Sequence, residues 1–145
     1  MELRWHDRAF GELTVHELHA ILALRGKVFV VEQSCAYLDP DTADLASRHL
    51  WADDGGAIRA YLRLVPAGVK FPELSIGRVI TAPEARGTGL GKELMRRGIV
   101  AAGAVAIRIG AQAHLEKFYG ELGFVRASEP YDEDGIPHIE MIRRA

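Results

Sequence analysis

Residues 78–95 read RVITAPEARGTGLGKELM, and a strand, a glycine loop and a helix start follow one another within that short stretch. The β-branched run Val79, Ile80, Thr81 stops at Ala82 and Pro83, and the next turn carries Gly87, Gly89 and Gly91 at alternate positions between two cations, Arg86 and Lys92. From Leu90 to Ala102, Leu90, Leu94, Met95 and Ile99 share one side of a helical projection. Lys92, Glu93, Arg96 and Arg97 share the other, so the spacing predicts an amphipathic helix with Gly103 as its cap. Glycine lets backbone N–H groups approach a ligand closely, and a helix N-terminus carries positive dipole charge, so the segment is a seat for an anion and a pyrophosphate would fit it. The bland alternative is a tight strand-to-helix turn that holds nothing.

Two nucleotide signatures fail on this segment. A P-loop needs GxxxxGK followed by Ser or Thr, but Arg86 occupies the first glycine position and Glu93 the hydroxyl position. The dinucleotide pattern GxGxxG has Lys92 where its third glycine belongs.

The remaining chain reads as one α/β or α+β domain over residues 1–145, with no linker, repeat or low-complexity tract. MELRWH is a short strand. Thr14 and Glu17 form a capping box and Leu13 and Leu18 a hydrophobic staple ahead of a helix whose stripe is Leu18, Ile21, Leu22, Arg25 and Phe29. Its far end, VFVV, is β-branched and aromatic and is open to either helix or strand. SCAYLDPDTADLASR reads as a loop with one helical turn. A hairpin turns at Asp54-Gly55-Gly56, and its second strand alternates Ile58, Ala60, Leu62, Leu64 with Arg59, Tyr61, Arg63, which predicts one buried face. In ELSIGRVITA, Gly77 interrupts the strand and Arg78 falls in phase with Leu74 and Ile76, which points to a bulge. A strand in AVAIRIGA, a helix with Leu115, Phe118, Tyr119 and Leu122 on one face, and the strands FVRAS and IPHIEMIRR around the loop EPYDEDG complete the order β-α-β-β-β-α-β-α-β-β.

Eighteen basic residues against 20 acidic ones, with no Lys/Arg run, give no electrostatic footprint for nucleic acid or a membrane surface. The lone cysteine, Cys35, makes no intrachain disulfide or Cys-rich zinc site, and no His/Asp/Glu spacing makes a metal site. The charged N-terminus lacks a signal-type apolar region and no apolar run nears the roughly 20 residues of a membrane span, so the expectation is a cytoplasmic protein. The sequence leaves the oligomeric state open, a homodimer included.

With these residues in view, RVITAPEARGTGLGKELM resembles the acetyl-CoA-binding motif of the GCN5-related N-acetyltransferase (GNAT) superfamily, carried by Arg86, Gly89 and Gly91. AQAHLEKFYGELGF, residues 111–124, resembles its second motif, and RGKVFVVEQSCAYLD, GAQAHLEKFY and DEDGIPHIEM are similar to its ElaA-like group over nearly the whole chain. The resemblance implies a mixed, mostly antiparallel twisted sheet, split between the strand Leu74 to Thr81 and the strand Val105 to Gly110, flanked by helices. It implies acetyl-CoA as acyl donor with its pantetheine arm in the split, backbone groups of Val79 and Ile80 toward that arm, and Phe118 and Gln112 against it. Gln112 stands where relatives carry asparagine. Arg86, Gly87, Gly89, Gly91 and Lys92 would hold the pyrophosphate, and Tyr119 would serve the CoA sulfur. On the residue pattern alone, Tyr119 reads first as a core residue, since it lies on the apolar stripe with Leu115, Phe118 and Leu122.

Acetyl transfer to an amine needs a base more than an acid, because an alkylamine near pKa ~10 must lose a proton whereas a thiolate of conjugate-acid pKa ~8.5 leaves tolerably well. A backbone N–H of Val79 or Ile80, at the expected bulge, is the candidate oxyanion donor. His138 and Glu140, two apart on the last strand, share a face and are the base candidates, with Glu32 a third; an imidazole is the more basic group near neutral pH, which puts His138 first. His49 and His114 each begin an element, where capping or a surface role is the default. Cys35 could carry an acetyl group but has no histidine placed to activate it, and Ala36 follows it where the ElaA-like pattern has proline. Asp39, Asp41 and Asp44 read either as a solvated acidic loop or as a lure for a cationic acceptor. The expected function is N-acetylation of a primary amine, small or on a peptide. A non-catalytic acyl-CoA-binding module and a binding protein for another nucleotide are the alternatives.

Overall fold

The computed structural model describes residues 2–145. Along the chain lie β1 (Arg4–Ala9), α1 (Val15–Arg25), α2 (Ala43–Ala46), β2 (Arg48–Asp53), β3 (Ile58–Val65), β4 (Leu74–Thr81) and α3 (Leu90–Ala102). They are followed by β5 (Ile107–Gln112), α4 (Glu116–Gly120), β6 (Val125–Arg126), β7 (Tyr131–Glu133) and β8 (Ile136–Arg143). One sheet runs in the order β1-β2-β3-β4-β5-β8-β6, and β7 lies beside β6 on the outer edge of β8. Every neighbouring pair is antiparallel except β4 and β5. β7 falls inside the stretch expected to be a loop. Among the described residues no helix is long and apolar enough to cross a membrane.

The capping box opens α1 as its sequence predicts: the Glu17 amide donates to Thr14 Oγ1 at 3.0 Å, and the Thr14 amide donates to Glu17 Oε1 at 2.9 Å. The ambiguous VFVV segment stays helical. Gly26–Glu32 prolongs α1 in wide π-helical turns, a geometry that recurs at functional sites, and brings Phe29 and Glu32 to the cleft described below.

β4 carries the expected irregularity. Tyr61 pairs with Ile80 and Arg63 with Gly77, so Arg78 and Val79 together stand opposite Leu62, one residue too many for the ladder. Arg78, not Gly77, takes the left-handed conformation there, with φ of 52°.

Two apolar clusters sandwich the sheet. On one face Leu94 and Met95 of α3, with Tyr119, Leu122 and Phe124 from α4 and the turn after it, pack on Leu62, Ile76, Ile109, Ile139 and Met141. On the other, Ile21 and Val28 of α1 and its extension pack on Trp51, Tyr61 and Ile80. The expectation of a single buried face on β3 is therefore corrected: Ala60 to Val65 are all buried, because α1 and an ion-pair network cover the second face.

That network also corrects the acidic-loop expectation. Asp39 and Asp44 are buried, and Asp41, though exposed, is paired with Arg63, so none of the three stands as an unpaired charge for a ligand. Arg25, fully buried, donates to Asp39 Oδ2 at 2.8 Å and to both Asp44 oxygens at 2.7 and 3.1 Å. Arg63 donates to Asp41 at 2.6 Å and Asp44 at 2.8 Å, and Arg78 to Asp39 at 2.8 Å. Burial alone would raise the Asp44 carboxyl, but the hydrogen bonds and charge of Arg25, with a further bond from Arg63, bring it down to about 2. His49, expected at a surface or cap, is buried instead between Tyr61 Oη at 2.6 Å and the Asp44 carbonyl at 3.0 Å, and burial lowers its pKa.

Candidate active site

β4 and β5 pair only at Leu74–Ile107 and Ser75–Arg108. Beyond Ser75 the β5-facing backbone of β4 has no strand partner, and the bulge at Arg78 and Val79 falls on this unpaired length. A cleft of about 710 Å³ opens there, walled by Phe29, Glu32 and Gln33, by Val79 to Thr81, by the glycine loop, and by Gln112, His114, Leu115, Phe118 and Tyr119.

The three alternate glycines answer different demands. Gly87 and Gly89 take left-handed conformations, φ 78° and 84°, with no atom close to where a Cβ would stand. Gly91 has ordinary helical φ, but a Cβ there would lie 3.1 Å from Thr81 Oγ1, so its bare backbone lets α3 approach the end of β4. Gly89 caps α3 without any side-chain hydrogen bond, leaving the first-turn amides of Leu90, Gly91 and Lys92 without intrahelical acceptors at the cleft. Arg86 and Lys92 flank them. Arg86 is held by Glu32 through two hydrogen bonds of 2.9 and 2.6 Å, and Lys92 by Glu121 at 3.1 Å.

A smaller inner cavity of about 130 Å³ lies deeper in the split and shares Phe29, Gln33, Val79, Gln112, Leu115 and Tyr119 with the cleft. Cys35 and Tyr37 close one side, and Glu133, Asp134, Ile136 and His138 the other. Cys35 Sγ reaches the Asp134 carbonyl at 3.5 Å, tying the two sides together. Tyr119 stands where the two spaces meet. Its ring packs edge-on against Phe118 and Phe124, while its hydroxyl has no hydrogen-bond partner among the described residues and yet is not among the sealed, unsatisfied polar atoms. Burial pushes that hydroxyl up to about 12, so it stays protonated.

Comparison with known proteins decides what this architecture is. A family model described as an acetyltransferase (GNAT) domain matches residues 28–145. The protein ElaA of Escherichia coli strain K12 is 40% identical, with 97% of this chain and 96% of that one aligned. The crystal structure of an acyl-CoA N-acyltransferase from Pseudomonas aeruginosa superposes with a TM-score of 0.94 at 44% identity, covering 98% of this chain and 99% of that one. The crystal structure of E. coli ElaA gives 0.93 at 38% identity, covering 99% and 100%.

The chain belongs to the GNAT acetyltransferase family.

Within the GNAT frame, the structure brings some of the sequence-derived site residues together and leaves others apart. Val79, Ile80, Arg86, Gly87, Gly89, Gly91, Lys92, Gln112, Phe118 and Tyr119 all line the cleft. His138 lines the inner cavity, 7% exposed. Its Nδ1 lies 2.7 Å from the Ile136 carbonyl and must carry a proton to bond it, so in a neutral ring Nε2 is the bare nitrogen, 3.4 Å from Glu133 Oε2. Glu140 is not brought to the cavity: Arg108, itself clamped by Glu73, binds it at 3.0 Å. Glu32 reaches the cleft, but the hydrogen bonds and charge of Arg86 hold its carboxyl below the usual carboxylate range, the wrong direction for a base. His114 lines the cleft beside Leu115. Sequence reasoning missed Glu133 as a partner of His138 and Tyr37 as a cavity wall. The charged run YDEDG hinted at the first, and nothing local marked the second.

Proposed function

We propose that this protein is an acetyl-CoA-dependent N-acetyltransferase acting on a primary amine. The observation that carries it is the junction at Val79, Gln112 and Tyr119, where a glycine-loop cleft meets a small cavity holding a histidine whose Nδ1 is bonded to the Ile136 carbonyl and whose Nε2 faces Glu133.

The donor set fits a diphosphate: open amides at the start of α3 between two cations, in a cleft narrowed where Gly91 lets helix and strand close together. Arg86, Lys92 and the loop from Gly87 to Gly91 would hold the pyrophosphate, while the unpaired β4 backbone at Val79 and Ile80, with Gln112 and Phe118, would take the arm. Acetyl-CoA would supply the acyl group as a thioester. Tyr119 donates a hydrogen bond from its hydroxyl toward the leaving sulfur, and an amide of the bulge stabilises negative charge on the acyl oxygen. Glu133 and the Nε2 of His138 present two acceptors to an incoming ammonium, and His138 takes the proton that frees the amine for attack. Arg78 also lines the cavity but is tied to Asp39, which leaves the carboxylates of Glu133 and Asp134 to draw a cationic acceptor.

A thermal-shift panel with acetyl-CoA, CoA, ATP and NAD, followed by an amine screen with acetyl-CoA, tests this function. Stabilisation by the two CoA species and acetylation of at least one amine are expected. CoA binding with no amine acetylated would leave a non-catalytic acyl-CoA-binding module, and a response to ATP or NAD alone would point to another nucleotide.

A further inference from the structure

Both cations that bracket the glycine loop are engaged by carboxylates, Arg86 by Glu32 on the cleft wall and Lys92 by Glu121 from beyond α4. Arg86 meets Glu32, at the end of the α1 extension, through both terminal guanidinium nitrogens, and its Nε donates to the Thr81 carbonyl at 3.3 Å. Lys92, in the first turn of α3, meets Glu121 just beyond α4. The partners lie 54 and 29 residues apart in sequence, so neither pair follows from local helix spacing. Each cation holds its glutamate below the ordinary carboxylate range, so both carboxylates are ionised wherever the protein is folded near neutral pH.

Resting on the assignment of this cleft to CoA, we infer that Glu32 and Glu121 are resident counter-ions of the pyrophosphate site, which a diphosphate must displace from Arg86 and Lys92 in order to bind. Glu32 occupies the terminal edge of the Arg86 guanidinium, which cannot serve a phosphate at the same time, and Glu121 competes with phosphate oxygens for the charge of Lys92. Displacement costs little, because all four side chains are about half exposed and such pairs are weak. The consequence is a cofactor affinity set lower than the loop alone would give, with two carboxylates ready to recover the cations as the spent cofactor leaves. A ligand without phosphate makes no such exchange. Glu32 thus has a role at the cofactor phosphates rather than at the amine.

Calorimetric titration of CoA and of pantetheine, which lacks phosphate, into wild type, Glu32→Gln, Glu121→Gln and the double variant tests the inference. CoA should bind about 2- to 5-fold tighter in each single variant and about 10-fold tighter in the double, with pantetheine unchanged. The fall of CoA affinity with added salt should also be steeper in the double variant, since no internal pair then offsets the lost contacts. Unchanged or weaker CoA binding in the folded double variant overturns the inference, as does equal tightening of pantetheine, which would mean a change of cleft shape. Wild type that binds pantetheine and CoA equally would overturn the pyrophosphate assignment and this inference with it.

Discussion

Gln112 and His138 are register partners across β5 and β8, so their side chains leave the sheet on the same face. Gln112 lines both the cleft and the inner cavity, whereas His138 lines only the cavity. On the proposed function the pair marks the step from the donor side to the acceptor side of the split, and variants of the two should separate in their effects: Gln112→Ala should weaken CoA binding, and His138 variants should not.

His138→Gln keeps a polar side chain while removing the base. The ratio kcat/KM for the amine, measured with cofactor saturating, should fall on the order of 10²-fold, with CoA affinity retained. The groups facing His138 are Glu133, Tyr131 and the cavity's Arg78 and Asp134, so Glu133→Gln should raise KM for a cationic amine more than it lowers kcat. Wild-type kcat/KM in His138→Gln would move the base elsewhere.

Tyr119→Phe leaves the ring packed between Phe118 and Phe124 and removes only the hydroxyl. A phenol held at about 12 by burial cannot readily give its proton to a thiolate whose conjugate acid lies near ~8.5, so it assists by hydrogen bonding and the loss in kcat should be about 10²-fold at most. CoA affinity should change little. Tyr119 should also contribute no descending limb below its pKa of about 12. Wild-type turnover in the variant, with chemistry rate-limiting, would reduce Tyr119 to packing.

The glycine loop makes a positional prediction. Gly89→Val forces a β-branched residue to φ 84°, and Gly91→Val drives side-chain atoms toward Thr81 Oγ1, so both should weaken CoA binding, the first through loop conformation and the second by parting α3 from β4. Calorimetry on folded variants is the check. Unaltered CoA affinity in both would remove the loop from the cofactor site.

The sequence made the loop, the helix that follows it and the bulge legible because each depends on neighbours within a few residues: alternating glycines, helical spacing, a phase break at Gly77 and Arg78; spacing put Tyr119 on an apolar helix face, and only the family resemblance pointed it to the cleft. The relation to the GNAT family was legible in the same segments. The Arg25, Arg63 and Arg78 network was not, because its pairs with Asp39, Asp41 and Asp44 join residues 14 to 39 positions apart. The alternation on β3 predicted one solvated face for the same reason, since only the placement of α1 buries Tyr61 and Arg63. His138 and Glu140 share a face as period-2 geometry requires, but the Arg108 bridge that separates their roles comes from a different strand.

The buried network should set acid stability. Asp44 has a folded pKa near 2 against an ordinary value of 3.8, so its stabilising contribution is complete above about pH 4 and is lost as pH falls toward 2. His49, with its pKa lowered by burial, adds a milder loss as pH drops below the ordinary histidine value of 6.5. Asp44→Asn leaves Arg25 and Arg63 short of a counter-charge and should cost roughly 3–5 kcal/mol, a fall in Tm on the order of 10 °C. Thermal melts from pH 7 to pH 2 check both. A variant as stable as wild type at pH 7 would mean that the arginines find other partners.

The most direct measurement is a single-turnover reaction with enzyme in excess of acetyl-CoA and a panel of primary amines, quenched and followed by mass spectrometry. Direct transfer at the junction of cleft and cavity predicts one N-acetylated amine for each CoA released and no acetyl group on Cys35 at any time. Release of CoA with free acetate and no acetylated amine, or an acetyl-Cys35 species that forms and decays fast enough to carry the reaction, would contradict it.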